Sequence, residues 1–261
     1  MADREKIIRF FRATGDDGLA ARLVDLAEGA RRCGKFRVSE FLDPHGLNVA
    51  EVVAANFEGL HLEQDGGFQR PERVRAAFVA NEFGGVPDFE LSYFELAWDK
   101  RYYDLGHRDV LGAFTGTGCK REALGDIVFT DAGAQLAADK TLTGFLLTNF
   151  TSVGATPVTI REIGRECLEQ REEKVKEISA TVADLRLDAV AAAGYGMSRS
   201  RMADEIKSQN VKLNWQVAKK TAQSVVEGDV ISFRGRGRVE VAEVRGTTRK
   251  GRVGVLLKRF M

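Results

Sequence analysis

The stretch from Asp184 to Ile231 reads DLRLDAVAAAGYGMSRSRMADEIKSQNVKLNWQVAKKTAQSVVEGDVI. Leu187, Val190 and Ala191 recur at helical spacing behind Asp184, which can cap a first helix. Gly194 and Gly196 permit the left-handed turn that ends it. Ser198 can cap a second helix over SRSRMADEIKSQ, with Met202, Ala203 and Ile206 on the side that packs on the first. Ser200 and Lys207 are two turns apart and share another side. Val211-Lys212-Leu213 reads as a short strand turning at Asn214-Trp215, and Glu227-Gly228-Asp229 as a turn into Val230 to Phe233. Val239 and Val241, then Val253, Val255 and Leu257, alternate as further strands.

The start of the second helix has anion chemistry. Helix N-termini present open amides to which negative charge is drawn. Ser198, Arg199, Ser200 and Arg201 add hydroxyl donors and guanidinium forks suited to phosphate. Arg234-Gly235-Arg236-Gly237-Arg238 lies between two strand patterns, so it reads as a basic hairpin that enlarges the positive face.

Charge is distributed unevenly. The whole chain of 261 residues has a formal net charge of +1. Residues 182–261 carry 16 Lys and Arg against 8 Asp and Glu, a net of +8, and the remainder has 23 basic and 30 acidic residues, a net of −7. A basic end on an acidic body points to a nucleic-acid or membrane contact confined to one module, or to a solvated basic face. Cys33, Cys119 and Cys167 are isolated, which supports neither a zinc nor a redox motif and fits a reducing compartment. The start MADREKIIRFF lacks the apolar core of a secretory signal, and no apolar run reaches the ~18–20 residues that span a bilayer. A soluble intracellular protein is expected, without cofactor or metal.

The fold class expected is α+β. Residues 1–86 read as a mostly helical α/β unit. Leu19, Leu23, Leu26 and Ala30 form a helical stripe with Asp16 and Asp17 as candidate caps. A second helix is expected over Leu47 to Asn56 after a turn at Asp43-Pro44-His45-Gly46, then a strand over Phe57 to Glu63. Pro71 is expected to open a short helix through Phe78. Residues 87–164 follow the order strand–helix–strand–strand–helix–strand, a split βαβ domain like the RNA-recognition motif. Phe89, Leu91, Tyr93, Glu95 and Ala97 share one face of its first strand. Phe145, Leu146 and Phe150 point inward from its second helix. The third strand, near AQLAAD, has no paired aromatics, so base stacking is not assigned to this sheet. Residues 165–180 read as a charged helical linker and residues 181–261 as the basic module.

Arg186-Leu187-Asp188, Ser198-Arg199-Ser200, Ile206-Lys207, Val211 with Lys212 and Asn214, and Glu227-Gly228-Asp229-Val230-Ile231 together resemble the S-four RNA-binding domain. That domain commonly has Gly after the Asn, where Trp215 stands here. LGHRDVLGAFTGTGCKREALGDIVF, Leu105 to Phe129, is similar to the central segment of the YlmH family, and GYGMSRSRM with the ending GRGRVEVAEV…KRFM resembles its cyanobacterial and plastid branch, the photosystem II S-four domain proteins. The resemblance implies a non-catalytic protein that binds structured rRNA and tRNA on the large ribosomal subunit, in rescue of stalled ribosomes. A monomer with ribosomal proteins among its partners is expected, in the cytoplasm or a plastid stroma. It places RNA contacts at Arg186, Ser198, Arg199, Ser200, Arg201, Lys207, Lys212, Asn214 and Trp215, joined by Arg234 and Arg236. Arg186 has an alternative as an ion pair with Asp188 or Glu205, and Trp215 as a cap on the small core.

Other motifs fail on spacing. Gly116-Thr117-Gly118-Cys119-Lys120 follows a helix, and Arg121 stands where a phosphate loop needs Ser or Thr; Lys120 and Arg121 remain a secondary RNA contact. His107-Arg108-Asp109 lacks the metal-binding Asn of a kinase loop, with Phe114 in its place. His45 and His61 have no ligand spacing. Two other classes stay open. One is an RNA-modifying enzyme with an ionisable group near Asp109 or Asp126. The other is an assembly factor for photosystems or cell division.

Overall fold

The computed structural model describes residues 4–170, 175–248 and 251–260. The chain falls into two units, Met1–Arg171 and Glu172–Met261.

The first unit opens with α1 (Arg4–Arg12) and α2 (Asp17–Cys33). Leu23, Val24, Ala27 and Ala30 are the buried stripe of α2. Asp16 stands at its N-cap without a side-chain cap bond; its carboxylate lies 3.0 Å from His45 Nε2 instead. Then come β1 (Phe36–Leu42), α3 (Pro44–Ala55), β2 (Leu60–Asp65) and β3 (Val74–Ala80). The turn expected at residues 43–46 is the start of α3. Asp43 accepts the Gly46 N–H at 2.9 Å, and Pro44 fits the first turn, where its missing N–H costs nothing. No helix follows Pro71. β3 is the middle strand of an antiparallel sheet in the order β1-β3-β2, and all seven of its residues are buried. A strand covered on both faces loses the alternation that identifies it.

The same unit continues with β4 (Leu91–Ala97), α4 (His107–Gly116), β5 (Leu124–Phe129), β6 (Gly133–Asp139), α5 (Thr143–Asn149), a small hairpin of β7 (Ser152–Val153) and β8 (Thr156–Pro157), and β9 (Thr159–Ile163). The antiparallel sheet runs β5-β6-β4-β9. In order of their occurrence in this domain, that is second, third, first, fourth, the split βαβ arrangement. The helix-facing residues of β4 are Phe94 and Leu96, packed with Phe114, Leu124, Leu136, Leu146 and Phe150. Leu91, Tyr93, Glu95 and Ala97 of β4 lie on the opposite face. Phe145 is not inward; it is 40% exposed.

That opposite face is covered. Tyr93, Val128 and Ala137 pack against Phe41 of β1 and Phe68, with Leu168 beside them. Gly67 permits the approach: its φ is +85°, and a Cβ there would lie 2.3 Å from Tyr93 Cε1. Polar groups seal the rim. The Arg73 guanidinium donates to the carbonyls of Phe41 (2.8 Å) and Leu124 (3.2 Å). Asp126 accepts the N–H groups of Glu72 (2.6 Å) and Arg73 (3.1 Å). Arg75 donates to the carbonyls of Ser39 (2.7 Å) and Glu90 (3.0 Å).

The second unit consists of β10 (Val175–Val182), α6 (Leu187–Tyr195), α7 (Arg199–Lys207), β11 (Val211–Leu213), β12 (Gln216–Val217), β13 (Val230–Phe233), β14 (Gly237–Thr247) and β15 (Val253–Phe260). Its sheet runs β10-β15-β14-β13-β11-β12. The helical linker expected over residues 165–180 does not form. Its described part holds one 3-10 turn, Arg165–Cys167, and the strand β10; residues 171–174 lie outside the described residues. In β10, Ile178, Ala180 and Val182 face the core at a period of two, and the charged run that leads into them through Lys176 and Glu177 masks that pattern in the sequence. The first helix begins later than expected: Arg186, not Asp184, is its N-cap residue. Gly194 is within α6, and only Gly196 (φ +65°) makes the left-handed exit. A Cβ on Gly194 would stand 2.8 Å from Val239 Cγ1, so glycine there lets the helix sit close on the sheet.

Candidate nucleic-acid interface

The α6–α7 pair is built to hold its cations in place. Leu187, Val190, Met202 and Ile206 are fully buried in one core with Val239, Val241, Val255 and Leu257. Tyr195 anchors the end of α6, its hydroxyl lying 2.8 Å from the Ile231 carbonyl and 2.9 Å from that of Gly237. Ser198 caps α7, its Oγ accepting the Arg201 N–H at 3.3 Å. Ser198 and Ser200 hydroxyls are 3.2 Å apart. Two hydroxyls, an open helix end and two arginines therefore share the first turn, as the sequence indicates.

Asp188 is the residue that sequence reasoning did not place in the site. Its side chain is only 6% exposed, and it faces two guanidinium groups. Arg186 approaches through Nε (3.3 Å) and Nη2 (3.1 Å), and Arg199 through Nε at 3.1 Å. Burial pushes the Asp188 carboxyl up. The hydrogen bonds and charges of Arg199 and Arg186 outweigh it and hold the group below the usual carboxylate range. The triad keeps a net positive charge. Each arginine retains an outward edge, with side chains 36% and 44% exposed. The sequence holds part of the signal: Asp188 stands two residues past Arg186 in the Arg-Leu-Asp piece and suits an ion pair with it, but nothing in the spacing ties Asp188 to Arg199.

Of the other candidates, Arg201 belongs to this tip and the rest lie apart from it. Arg201 is exposed in the first turn of α7. Lys207 is at its far end, roughly 12 Å along the axis by helical rise, and 3.8 Å from Asp204. Arg234 and Arg236 are exposed on the β13–β14 turn. The Arg234 N–H donates to Asn210 O, three residues beyond Lys207, so this turn adjoins the trailing end of α7. The guanidinium of Arg236 lies 5.6 Å from the Phe233 ring centroid. Lys212 projects from the outer side of β11, between buried Val211 and Leu213. The cations thus form two groups along α7, with Lys212 on the sheet beyond.

Asn214 has a structural task. Its Nδ2 donates to Asp229 Oδ1 (2.8 Å) and its Oδ1 accepts the Val230 N–H (2.9 Å), while Asp229 Oδ2 accepts the Val226 N–H (2.8 Å). The Asn and the Glu-Gly-Asp turn therefore latch two loops together. Asn214 and Trp215 both have positive φ, +48° and +64°. Trp215 occupies a backbone state that favours glycine, and it is half-buried at the tip.

In the central domain, Arg121 is committed to structure. Its guanidinium donates to Leu124 O, and burial, followed by the nearby Arg73, pushes its pKa down to about 10. Lys120 stays exposed. The carboxylates Asp109 and Asp126 both serve the backbone: Asp109 accepts the Gly106 N–H at the start of α4, and Asp126 the two amides above. Among the described residues there is no group of three or more His, Cys, Asp or Glu side chains that could hold a metal ion, and no helix long and apolar enough to cross a membrane.

Residues 86–166 match the family described as "Putative RNA-binding domain in YlmH", and residues 185–231 match the S4 domain, the S-four domain above. The chain is 32% identical over 226 residues to "Ribosome-associated protein quality control protein P2" of Bacillus subtilis (strain 168), covering 86% of this chain and 88% of that protein. Among solved structures it is similar to "Cell division protein ylmH from Streptococcus pneumoniae", with 21% identity, 59% of this chain and 94% of that one covered, and a TM-score of 0.49.

Proposed function

The chain belongs to the YlmH family of S-four-domain RNA-binding proteins, and from that premise we propose that it grips structured RNA of the large ribosomal subunit and its tRNA, in ribosome-associated quality control. The observation that carries the reading is the Arg186–Asp188–Arg199 triad beside the Ser198 and Ser200 hydroxyls at the open end of α7. A buried carboxylate fixes two guanidinium planes before any ligand arrives. Preset forks bind phosphate with less loss of side-chain freedom. Arg201, Lys207, Lys212, Arg234 and Arg236 would extend the contact along the backbone of a folded RNA, which is recognised by shape more than by sequence. The ribosomal setting is supported by the B. subtilis relative, which is ribosome-associated by its name, and it favours a cytoplasmic role over a photosystem one.

Affinity for ribosomal RNA should fall steeply with salt, by about 0.7 to 0.9 log units per decade for each neutralised phosphate. In the full chain, replacing Arg199 and Arg201 by Ala should flatten the log–log slope by about one to two. An unchanged slope would remove α7 from the interface. Ribonuclease-sensitive co-sedimentation with large subunits tests the ribosomal part; co-sedimentation that survives ribonuclease would favour a protein-assembly role instead.

A further inference from the structure

We propose that the loop from Trp98 to Asp104, with the β5–β6 turn beside it, is a second RNA contact that takes unpaired bases by stacking on Tyr102, rimmed by Tyr103 and Phe129. The proposal rests on the chain being an RNA-binding protein but not on the contacts of the S-four module.

The first ground is exclusion. In a split βαβ domain the open sheet face is the usual platform for bases. Here Phe41, Phe68 and Leu168 occupy it, and Gln135, in the third strand, is bonded through its side chain to the Cys167 carbonyl and the Glu169 N–H. RNA binding by this domain must use another surface.

The second ground is what the end of the sheet displays. Tyr102 is 76% exposed, and Tyr103 and Phe129 more than a third. Cations interleave with these rings. Lys100 Nζ lies 5.7 Å from the Trp98 ring centroid and the Arg101 guanidinium 5.6 Å from that of Tyr102. Trp98 meets Phe129 edge-on at 6.0 Å. Exposed aromatic faces flanked by guanidinium and ammonium groups suit a nucleobase, which has a π-face whatever its identity.

The third ground is that the loop is preset. Asp99 O accepts the N–H groups of both Tyr102 and Tyr103 at 3.2 Å. Trp98 Nε1 donates to Tyr103 O at 3.2 Å, and Lys100 Nζ donates to Thr130 O, tying the loop to the β5–β6 turn. Asp99 holds Arg101 through two bonds of 3.0 and 2.7 Å. With Asp99 engaging Arg101, the local net charge is small, so stacking and not phosphate neutralisation supplies the affinity.

That distinction gives the test. Binding of a short, unstructured, adenine-rich oligoribonucleotide is measured across a salt series with the full chain, in both the native and the Arg199→Ala/Arg201→Ala backgrounds. Tyr102→Ala should weaken binding by about 5- to 150-fold, the worth of one stacked base, with the salt slope unchanged in either background. Tyr102→Phe should bind as the native chain does. Replacing uridines of the probe by 4-thiouridine should give a photocrosslink on the peptide holding Tyr102. Native affinity in Tyr102→Ala, Ala-like affinity in Tyr102→Phe, or a change of slope would each overturn the proposal. Failure of the S-four reading shows elsewhere, as an unaltered slope in the arginine variant, so the two ideas fall separately.

Discussion

Asp188 governs the site at the scale of single residues, although it cannot itself touch phosphate. Asp188→Asn should cost about 1–3 kcal/mol in urea unfolding at neutral pH, since two half-buried guanidinium groups lose their acceptor. It should also weaken RNA binding despite raising the net charge, because the forks lose their orientation. The folded-state pKa of Asp188 lies below the unfolded value of about 4. Its stabilisation is therefore present above about pH 4 and is lost as pH falls through the folded pKa. The stability gap between the native chain and Asp188→Asn should narrow on acidification below about pH 4; a constant gap would show that the carboxylate's charge is not what matters. Asn214 is the opposite case. Its place in the family motif implies an RNA contact, and the structure gives its amide the further task of joining Asp229 and Val230. Residue type and spacing do not reveal whether a polar group faces a ligand or a neighbouring loop.

Elements show where the pattern was readable and where it was not. α7, its Ser198 cap and its buried Met202 and Ile206 follow from local spacing, because a helix half on solvent keeps its period. β3 and β10 did not read correctly. The first is buried on both faces; the second is an edge strand that begins in a charged run. Arg199 with Arg201, and Arg234 with Arg236, lie at opposite ends of α7 with no shared partner among the described residues. Replacing each pair by Ala should reduce RNA affinity additively, within about 0.5 kcal/mol, in a double-mutant cycle. Strong coupling would mean that one phosphate group bridges both. In the first unit, Phe41→Ala should destabilise by about 3–5 kcal/mol, since Phe41 is fully buried between β1 and the central sheet. A thermal or urea unfolding curve of the full chain reads this as an earlier transition; a cost below about 1 kcal/mol would mean that the sheet face is not sealed by this contact.

For the whole molecule, the +8 of residues 182–261 against −7 elsewhere predicts that the salt dependence of RNA binding arises in one module. The sequence by itself determined the α+β class, the split βαβ order, the capped helix pair and its family. Each of these is written in local spacing or in motif residues close together along the chain. Only the tertiary structure decided that Asp188 joins Arg186 to Arg199, and that the central sheet face is closed by Phe41 and Phe68. Arg186 and Asp188 are near neighbours along the chain, but Arg199 and the residues that meet on the sheet face come from separate elements, and the energies of all these contacts depend on burial and approach geometry, which a linear pattern does not encode.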